Sequence, residues 1–290
     1  MRDPEDMTMF VFRSLDEYQE HWRRMAPRFA ERVAAAEALC APWRDRREGF
    51  TVEAESYPAG RKADLAVEWL SSTGSQPAWR EYLICPLTGL NARMRASVHV
   101  IDAQLGLRAG DAVYLTEQTT PLYQFLRAKF SRLIGSEYLE PSLAPGWIDA
   151  HGVRHEDLIR TSFSAEKFDA VLTFECLEHI PDYRAALREC RRILKSGGKL
   201  LFSVPFAASQ QEHVIRARLR PDGSIEHLLE PEYHGDPRQQ AGCLCFTHFG
   251  WEMINDLGAA GFNDPQVVTF WSREFGYLGD ETAFFLATAP

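Results

Sequence analysis

Nowhere in the 290 residues does an apolar run approach the roughly 20 that a membrane-spanning helix needs, so no spanning segment is expected. The first ten residues also lack a basic stretch followed by an apolar one, the pattern of a secretory signal, and the expected location is the cytoplasm. Positive charge is short as well. The 32 Lys and Arg stand against 41 Asp and Glu, a net of -9 that repels a polyphosphate backbone. The basic clusters Arg44 to Arg47 and Arg191-Arg192 are broken by an acid or lie on a helical face, so no nucleic-acid partner is expected. The six cysteines contain no C-x-x-C pair and read as reduced thiols. Cys243 and Cys245 share a strand face without a second close pair, and His213, His227, His234, Asp236 and His248 follow no helix or knuckle spacing, so no metal is expected. Repeats and low-complexity tracts are absent too.

What is present is an ordinary folded composition, 45% hydrophobic and 25% charged. Residues 9 to 40 carry Phe10, Phe12, Leu15, Tyr18, Trp22, Met25 and Phe29 mostly at three- and four-residue spacings, which predicts amphipathic helix. From Gly49 to Gln76 the period fades and Tyr57-Pro58-Ala59-Gly60 and Ser71-Ser72-Thr73-Gly74 read as turns. Residues 1–105 are therefore expected to form a helical and irregular module. From Asp111 on, short apolar runs alternate with helical patterns, the sign of βαβ units. Strands are expected at 112–115, 133–137, 168–174 and 199–204. A helix capped by Thr120 with Pro121 at its first position should follow the first of them, and a second, with Tyr183, Ala186, Leu187, Cys190, Ile193 and Leu194 on one face, the third. The polar stretch at about 206–240 predicts a long insertion. The expected fold over residues 106–290 is a doubly wound, mostly parallel α/β sheet, with the insertion after its fifth strand.

The run from Phe168-Asp-Ala-Val-Leu-Thr-Phe through Glu175-Cys-Leu-Glu178-His179-Ile-Pro-Asp182, its helix, and Leu194-Lys-Ser-Gly-Gly-Lys-Leu-Leu-Phe-Ser-Val-Pro205 resembles the middle of class I S-adenosylmethionine-dependent methyltransferases. The resemblance covers roughly residues 110 to 205 and implies a Rossmann-like fold, S-adenosylmethionine as cofactor and a biosynthetic transferase. His155-Glu156-Asp157-Leu158 matches the segment where that family places an acid near the adenine. The family's Gly-x-Gly-x-Gly turn after the first strand is replaced by Leu115-Thr-Glu-Gln-Thr-Thr-Pro121. In a doubly wound fold such glycines admit close backbone approach to the ligand, whereas the helix N-terminus behind them still favours an anionic group. Together with Tyr123 and Gly135-Ser136-Glu137-Tyr138, that turn resembles a methyltransferase subgroup of glycan and secondary-metabolite clusters and puts Glu137 on the ribose hydroxyls. The same subgroup's cysteine cluster retains only Cys85, with Thr88 where a second would stand, so zinc is not expected there. The cofactor set implied is Thr116, Glu117, Gln118, Thr119, Thr120, Tyr123, Gly135, Ser136, Glu137, Tyr138, Glu156, Asp157, Leu158 and Glu175.

Methyl transfer is an in-line displacement that needs alignment, exclusion of water and often one proton removed. His179, His213 and His234 are the candidate bases, because imidazole titrates near working pH. The structural alternative for His179 is that it and Glu178 pack the following helix. Arg216, Tyr233, Asp236 and His248 are candidates for binding a small-molecule or glycan acceptor, and O-methylation of a small polar or sugar-like compound is the expected reaction. The rivals are a non-methylating use of the same cofactor and a non-catalytic scaffold. A nicotinamide-binding Rossmann enzyme fits least, since Glu117-Gln-Thr-Thr120 is a poor pyrophosphate cradle.

Overall fold

The computed structural model describes residues 7–70, 72, 74–235 and 242–290. These form two compact units, one from the described residues within 7–11, 19–106 and 268–283, the other from those within 12–18, 107–267 and 284–290. No helix among the described residues is long and apolar enough to cross a membrane.

At the start of the chain, where a helix or helix pair is expected from residue 9, the structure has a short strand β1 (Phe10–Phe12) and then helix α1 (Leu15–Cys40). Ser14 separates them: its Oγ accepts the Glu17 N–H at 3.3 Å, a cap that starts the helix afresh. Residues of the fading period form an antiparallel hairpin in the first unit, β2 (Phe50–Ser56) with β3 (Arg61–Val67). The Tyr57-to-Gly60 turn closes it, with Gly60 at φ 64° where a side chain is strained. Phe50, Val52 and Ala54 alternate into a core with Leu65, Val67, Trp69, Trp79 and Leu83. Helix α2 (Ala92–Val100) is capped by Asn91 and carries the fully buried Arg95, which donates to the carbonyls of Phe275 at 2.6 Å and Gly276 at 3.1 Å.

The second unit opens with β4 (Ala112–Leu115), α3 (Pro121–Lys129), β5 (Arg132–Gly135), β6 (Phe168–Phe174), α4 (Tyr183–Ile193) and β7 (Leu194–Ser203). Strand β4 pairs parallel with β5 on one side and β6 on the other, and β6 pairs parallel with β7. The β4 and β6 side chains are buried almost throughout, as a sheet covered on both faces requires. Asp182 caps α4, accepting the Ala185 N–H at 2.9 Å, and Tyr183, Ala186, Leu187, Cys190 and Ile193 are its buried face. Each large apolar side chain so buried contributes about 2 kcal/mol. Strand β7 starts directly after α4, before the glycines expected to stop the helix, because Gly197 N and Ala289 N join 197–198 to the chain's last residues.

The insertion is built from short antiparallel pairs: β8 (Val214–Ile215), β9 (Ala217–Leu219), β10 (Ile225–His227), β11 (Tyr233–His234), β12 (Cys243–Leu244) and β13 (Thr247–His248). Here β8 pairs with β13, β9 with β10 and β11 with β12. Helix α5 (Glu252–Ala259) and the long strands β14 (Asn263–Ser272) and β15 (Tyr277–Thr288) complete the chain. The sheet order is β1-β14-β15-β7-β6-β4-β5, with β15 antiparallel to β7.

Candidate active site

Ligands of open α/β sheets bind beyond the carboxyl ends of the strands, where neighbouring connections leave in opposite directions. That point here lies between β4 and β6, and the cofactor residues expected from sequence gather around it. Thr116, just past β4, donates its hydroxyl to Thr173 at 2.9 Å. Beyond β5, one oxygen of Glu137 accepts three hydrogen bonds, each 2.8 Å, from Gln118 N, Thr119 N and the Thr119 hydroxyl. The glycine-free turn is thus anchored by the acid expected to hold the ribose. Thr120 caps α3 by accepting Tyr123 N at 3.2 Å, and Pro121 is the first helical residue. Gly135 explains how the turn fits. A Cβ there would stand 2.5 Å from the Tyr123 ring and 2.8 Å from the Glu117 carbonyl oxygen, so only glycine admits this approach.

The other expected members differ in what their environment leaves open. Ser136 is buried in a 2.7 Å hydroxyl pair with Tyr114, whereas Tyr138 is 54% exposed. Glu137 pairs with His155 as an isolated bridge, which brings the 155–158 segment beside it. Within that segment Glu156 is buried, with Arg154 at 3.0 Å, the Ser162 hydroxyl at 2.6 Å and Ser162 N at 2.7 Å on its carboxylate. Leu158 is also buried, while Asp157 is half-buried and accepts Ile159 N at 3.1 Å. Beyond β6, Glu175 adopts φ 51° and accepts the Ser203 hydroxyl at 2.7 Å. Burial pushes the neighbouring Cys176 thiol up to about 12, so it stays protonated. An open cleft of 720 Å³ beside the turn is lined by Gln118, Thr119 and Tyr123 with Arg127 and His151, but not by Glu137, Asp157 or Glu175.

The three candidate bases differ sharply. His213 is fully engaged: Gly250 N donates to its Nδ1 at 2.9 Å, so the ring proton sits on Nε2 and points at Asp256 Oδ2, 3.1 Å away. In His179 the order is reversed. Its Nδ1 faces the Leu244 carbonyl at 2.8 Å, which only accepts, so Nε2 carries the lone pair. His234 Nε2 lies 2.9 Å from Glu232, and the Cys245 thiol, Glu178 and Glu232 together raise its pKa to about 11 against the cost of burial. The rings of His179 and His234 meet edge-on at 5.0 Å.

Glu178, the partner of both, is fully buried. Its Oε1 lies 3.7 Å from His179 Nε2 and 3.7 Å from His234 Nδ1, and neither carboxylate oxygen has a hydrogen bond. Burial pushes its carboxyl up. Of the candidate acceptor residues, Arg216 donates to the Glu230 carbonyl at 2.8 Å and pairs with Glu232 at 3.2 Å. His248 Nε2 reaches Glu232 at 3.0 Å, Tyr233 is 56% exposed, and Asp236 lies outside the described residues. Glu232 and Asp256 join these clusters without having been singled out by sequence, and Cys245, weighed there only as a pair with Cys243, joins them too. Glu232 stood beside Tyr233-His234 in a conspicuous run, but Asp256, inside an ordinary amphipathic helix, gave no signal.

A methyltransferase-domain family model matches residues 119–202. A ubiquinone biosynthesis O-methyltransferase from Bordetella avium is 34% identical over 27% of this chain and 36% of its own length. Its namesake from Xanthomonas oryzae pv. oryzae strain PXO99A is 33% identical over 56% of this chain and 69% of that protein. The chain belongs to the class I methyltransferase family. Coverage differs among the family's curated members: this methyltransferase-family chain spans little more than a third of the Bordetella protein and 37% of one from Pseudomonas fluorescens. Among solved structures, an S-adenosylmethionine dependent methyltransferase from Mesorhizobium loti aligns with TM-score 0.43 and 14% identity over 67% of this chain and 97% of that one.

Proposed function

We propose that this chain is an S-adenosylmethionine-dependent O-methyltransferase acting on a small hydroxylated acceptor. The observation that carries the proposal is the edge at the switch point, where Glu137 holds the turn after β4 and Gly135 makes room for it. The residues fit the cofactor. The capped, proline-started α3 directs backbone donors outward for a carboxylate, Glu137 is an acid at the end of the second strand for ribose hydroxyls, and Asp157 is the half-buried acid of the adjoining segment for the adenine. When bound, the cofactor supplies a methyl group activated by its sulfonium. Names of the relatives, ubiquinone biosynthesis O-methyltransferases, support oxygen as the accepting atom.

His179 takes the acceptor's hydroxyl proton on Nε2, since its Nδ1–H is committed to Leu244 and the other candidates have no nitrogen similarly placed. Tyr233 offers an exposed aromatic face to the acceptor. The test is incubation with methyl-labelled S-adenosylmethionine and a panel of phenols, catechols, hydroxy acids and sugars. Labelled ether and S-adenosylhomocysteine should appear together, and His179→Ala should lower kcat by about 10²–10⁴-fold while S-adenosylhomocysteine affinity holds. Cofactor binding without S-adenosylhomocysteine production would point to a non-methylating reaction, and no binding at all would refute the proposal.

A further inference from the structure

The insertion contains a ligand cluster that methyl transfer does not call on. We propose that Glu232, His234, Cys245 and His248 form a four-coordinate zinc site that ties the insertion's strands together. One ligand atom from each lies within 4.8 Å of the others, and the Cys245 side chain is fully buried. Glu232 and His234 come from β11 and its lead-in, while Cys245 directly follows the returning strand β12 and His248 ends β13. The backbone sets the register, with Tyr233 opposite Leu244 and Cys245 N donating to the Glu232 carbonyl at 2.8 Å. Sequence spacing hides the set because its two halves meet only across that pairing.

The donor chemistry selects the metal. A thiol, two imidazoles and a carboxylate suit a borderline-soft tetrahedral ion, whereas calcium and magnesium take oxygen donors. With all four positions supplied by protein, the site is closed and structural rather than open to substrate. Nε2 of His234 and Nε2 of His248 lie 2.9 Å and 3.0 Å from the same Glu232 oxygen, so both rings aim the same nitrogen at one point.

The surrounding groups point to a metal independently. Ligating histidines usually give their other N–H to a carboxylate. His234 Nδ1 faces Glu178, 3.7 Å away, whose two buried oxygens have no hydrogen bond in the described structure. A cation on Nε2 keeps the remaining ring proton of His234 on Nδ1, facing the Glu178 carboxylate. Arg216 in turn sits 3.2 Å from Glu232 Oε2, leaving Oε1 for the metal. Binding displaces the Cys245 thiol proton and the Nε2 proton of the charged His234 ring to solvent, so the step releases protons and involves no redox change.

The test needs no turnover. Full-length protein purified without chelator or histidine tag, then dialysed against micromolar zinc, should hold about one zinc per chain by metal analysis. Cys245→Ser and His248→Ala should lose it, and Glu178→Gln should weaken zinc affinity by about 10–100-fold. Cobalt substitution of the wild type should give tetrahedral d–d bands and a thiolate-to-metal absorption that Cys245→Ser abolishes. Should either ligand variant fail to fold, the wild type decides alone: stripping with a chelator must lower Tm and cobalt must restore it with the thiolate band. Zinc below about a tenth of an equivalent in the wild type, or a cobalt spectrum without a thiolate band, overturns the proposal.

Discussion

Asp256, on α5, gives the most quantitative test of how the second unit is held together. Its Oδ1 accepts Arg184 Nε at 2.8 Å, and its Oδ2 accepts the Tyr183 hydroxyl at 2.6 Å and His213 Nε2 at 3.1 Å. Burial alone would raise its pKa, but the hydrogen bonds from His213, Arg184 and Tyr183 prevail and lower it from 3.8 to about 2. A carboxylate whose folded pKa lies below its unfolded one stabilises the fold above the unfolded value, and that contribution fades as pH falls toward the folded value. The shift corresponds to about 2 kcal/mol at neutral pH, of which about half is gone by pH 3. Asp256→Asn removes the charge and turns an amide N–H₂ toward groups that are themselves donors. Urea unfolding of wild type and variant from pH 7 to pH 3 should therefore show a gap of about 2 kcal/mol that narrows to about 1 kcal/mol over the acid end. Equal stability at pH 7, or a gap that stays constant down to pH 3, would refute the assignment of Asp256 and its three partners as an ionised tie.

Four further outcomes follow from particular contacts. Glu137→Ala removes three bonds from a carboxylate oxygen, and calorimetry should show S-adenosylhomocysteine binding weakened by about 10–100-fold; an unchanged Kd would remove Glu137 from the cofactor site. Gly135→Ala should lower both Tm and cofactor affinity, and Tyr123→Ala in the same chain should not restore them, because the Glu117 carbonyl is backbone and still blocks the Cβ. Arg95→Met leaves the Phe275 and Gly276 carbonyls without their donor and should cost about 2–4 kcal/mol in chemical denaturation, whereas a surface arginine such as Arg220 changed the same way should cost almost nothing. Cys176, with its thiol held up to about 12 by burial, should resist iodoacetamide in the native protein at pH 8 and react once the chain is unfolded.

How much of this was legible in the sequence depended on the range of the contacts involved. Strands β4 and β6 announced themselves because each is an apolar run buried on both faces, and α3 and α4 because Thr120-Pro121 and Asp182 are local caps. The family resemblance put Glu137 at the end of a strand expected over 133–137, whereas the structure ends β5 at Gly135 and leaves Glu137 bridged to His155. The β2–β3 hairpin was not legible, since exposed Arg61 and Lys62 and the polar faces of both strands dilute the period of two that Phe50, Val52 and Ala54 keep on β2 and Leu65 and Val67 on β3. Least legible was the company around Glu178. His179 is its neighbour in the chain, but His234 arrives from the insertion through strand pairings and carbonyl contacts that no spacing encodes.

Gly135 carries a lesson about what a glycine motif measures. Room for a ligand is a property of the gap between two facing backbones, and either wall can yield it. In this chain the glycine stands on the far wall, at the end of β5, where the Tyr123 ring and the Glu117 carbonyl take the space a Cβ would fill, while the near wall is stiffened by a threonine cap and a proline. The turn therefore has less conformational freedom of its own than a run of glycines would. A glycine missing from one side of such a contact is here made good by a glycine on the other.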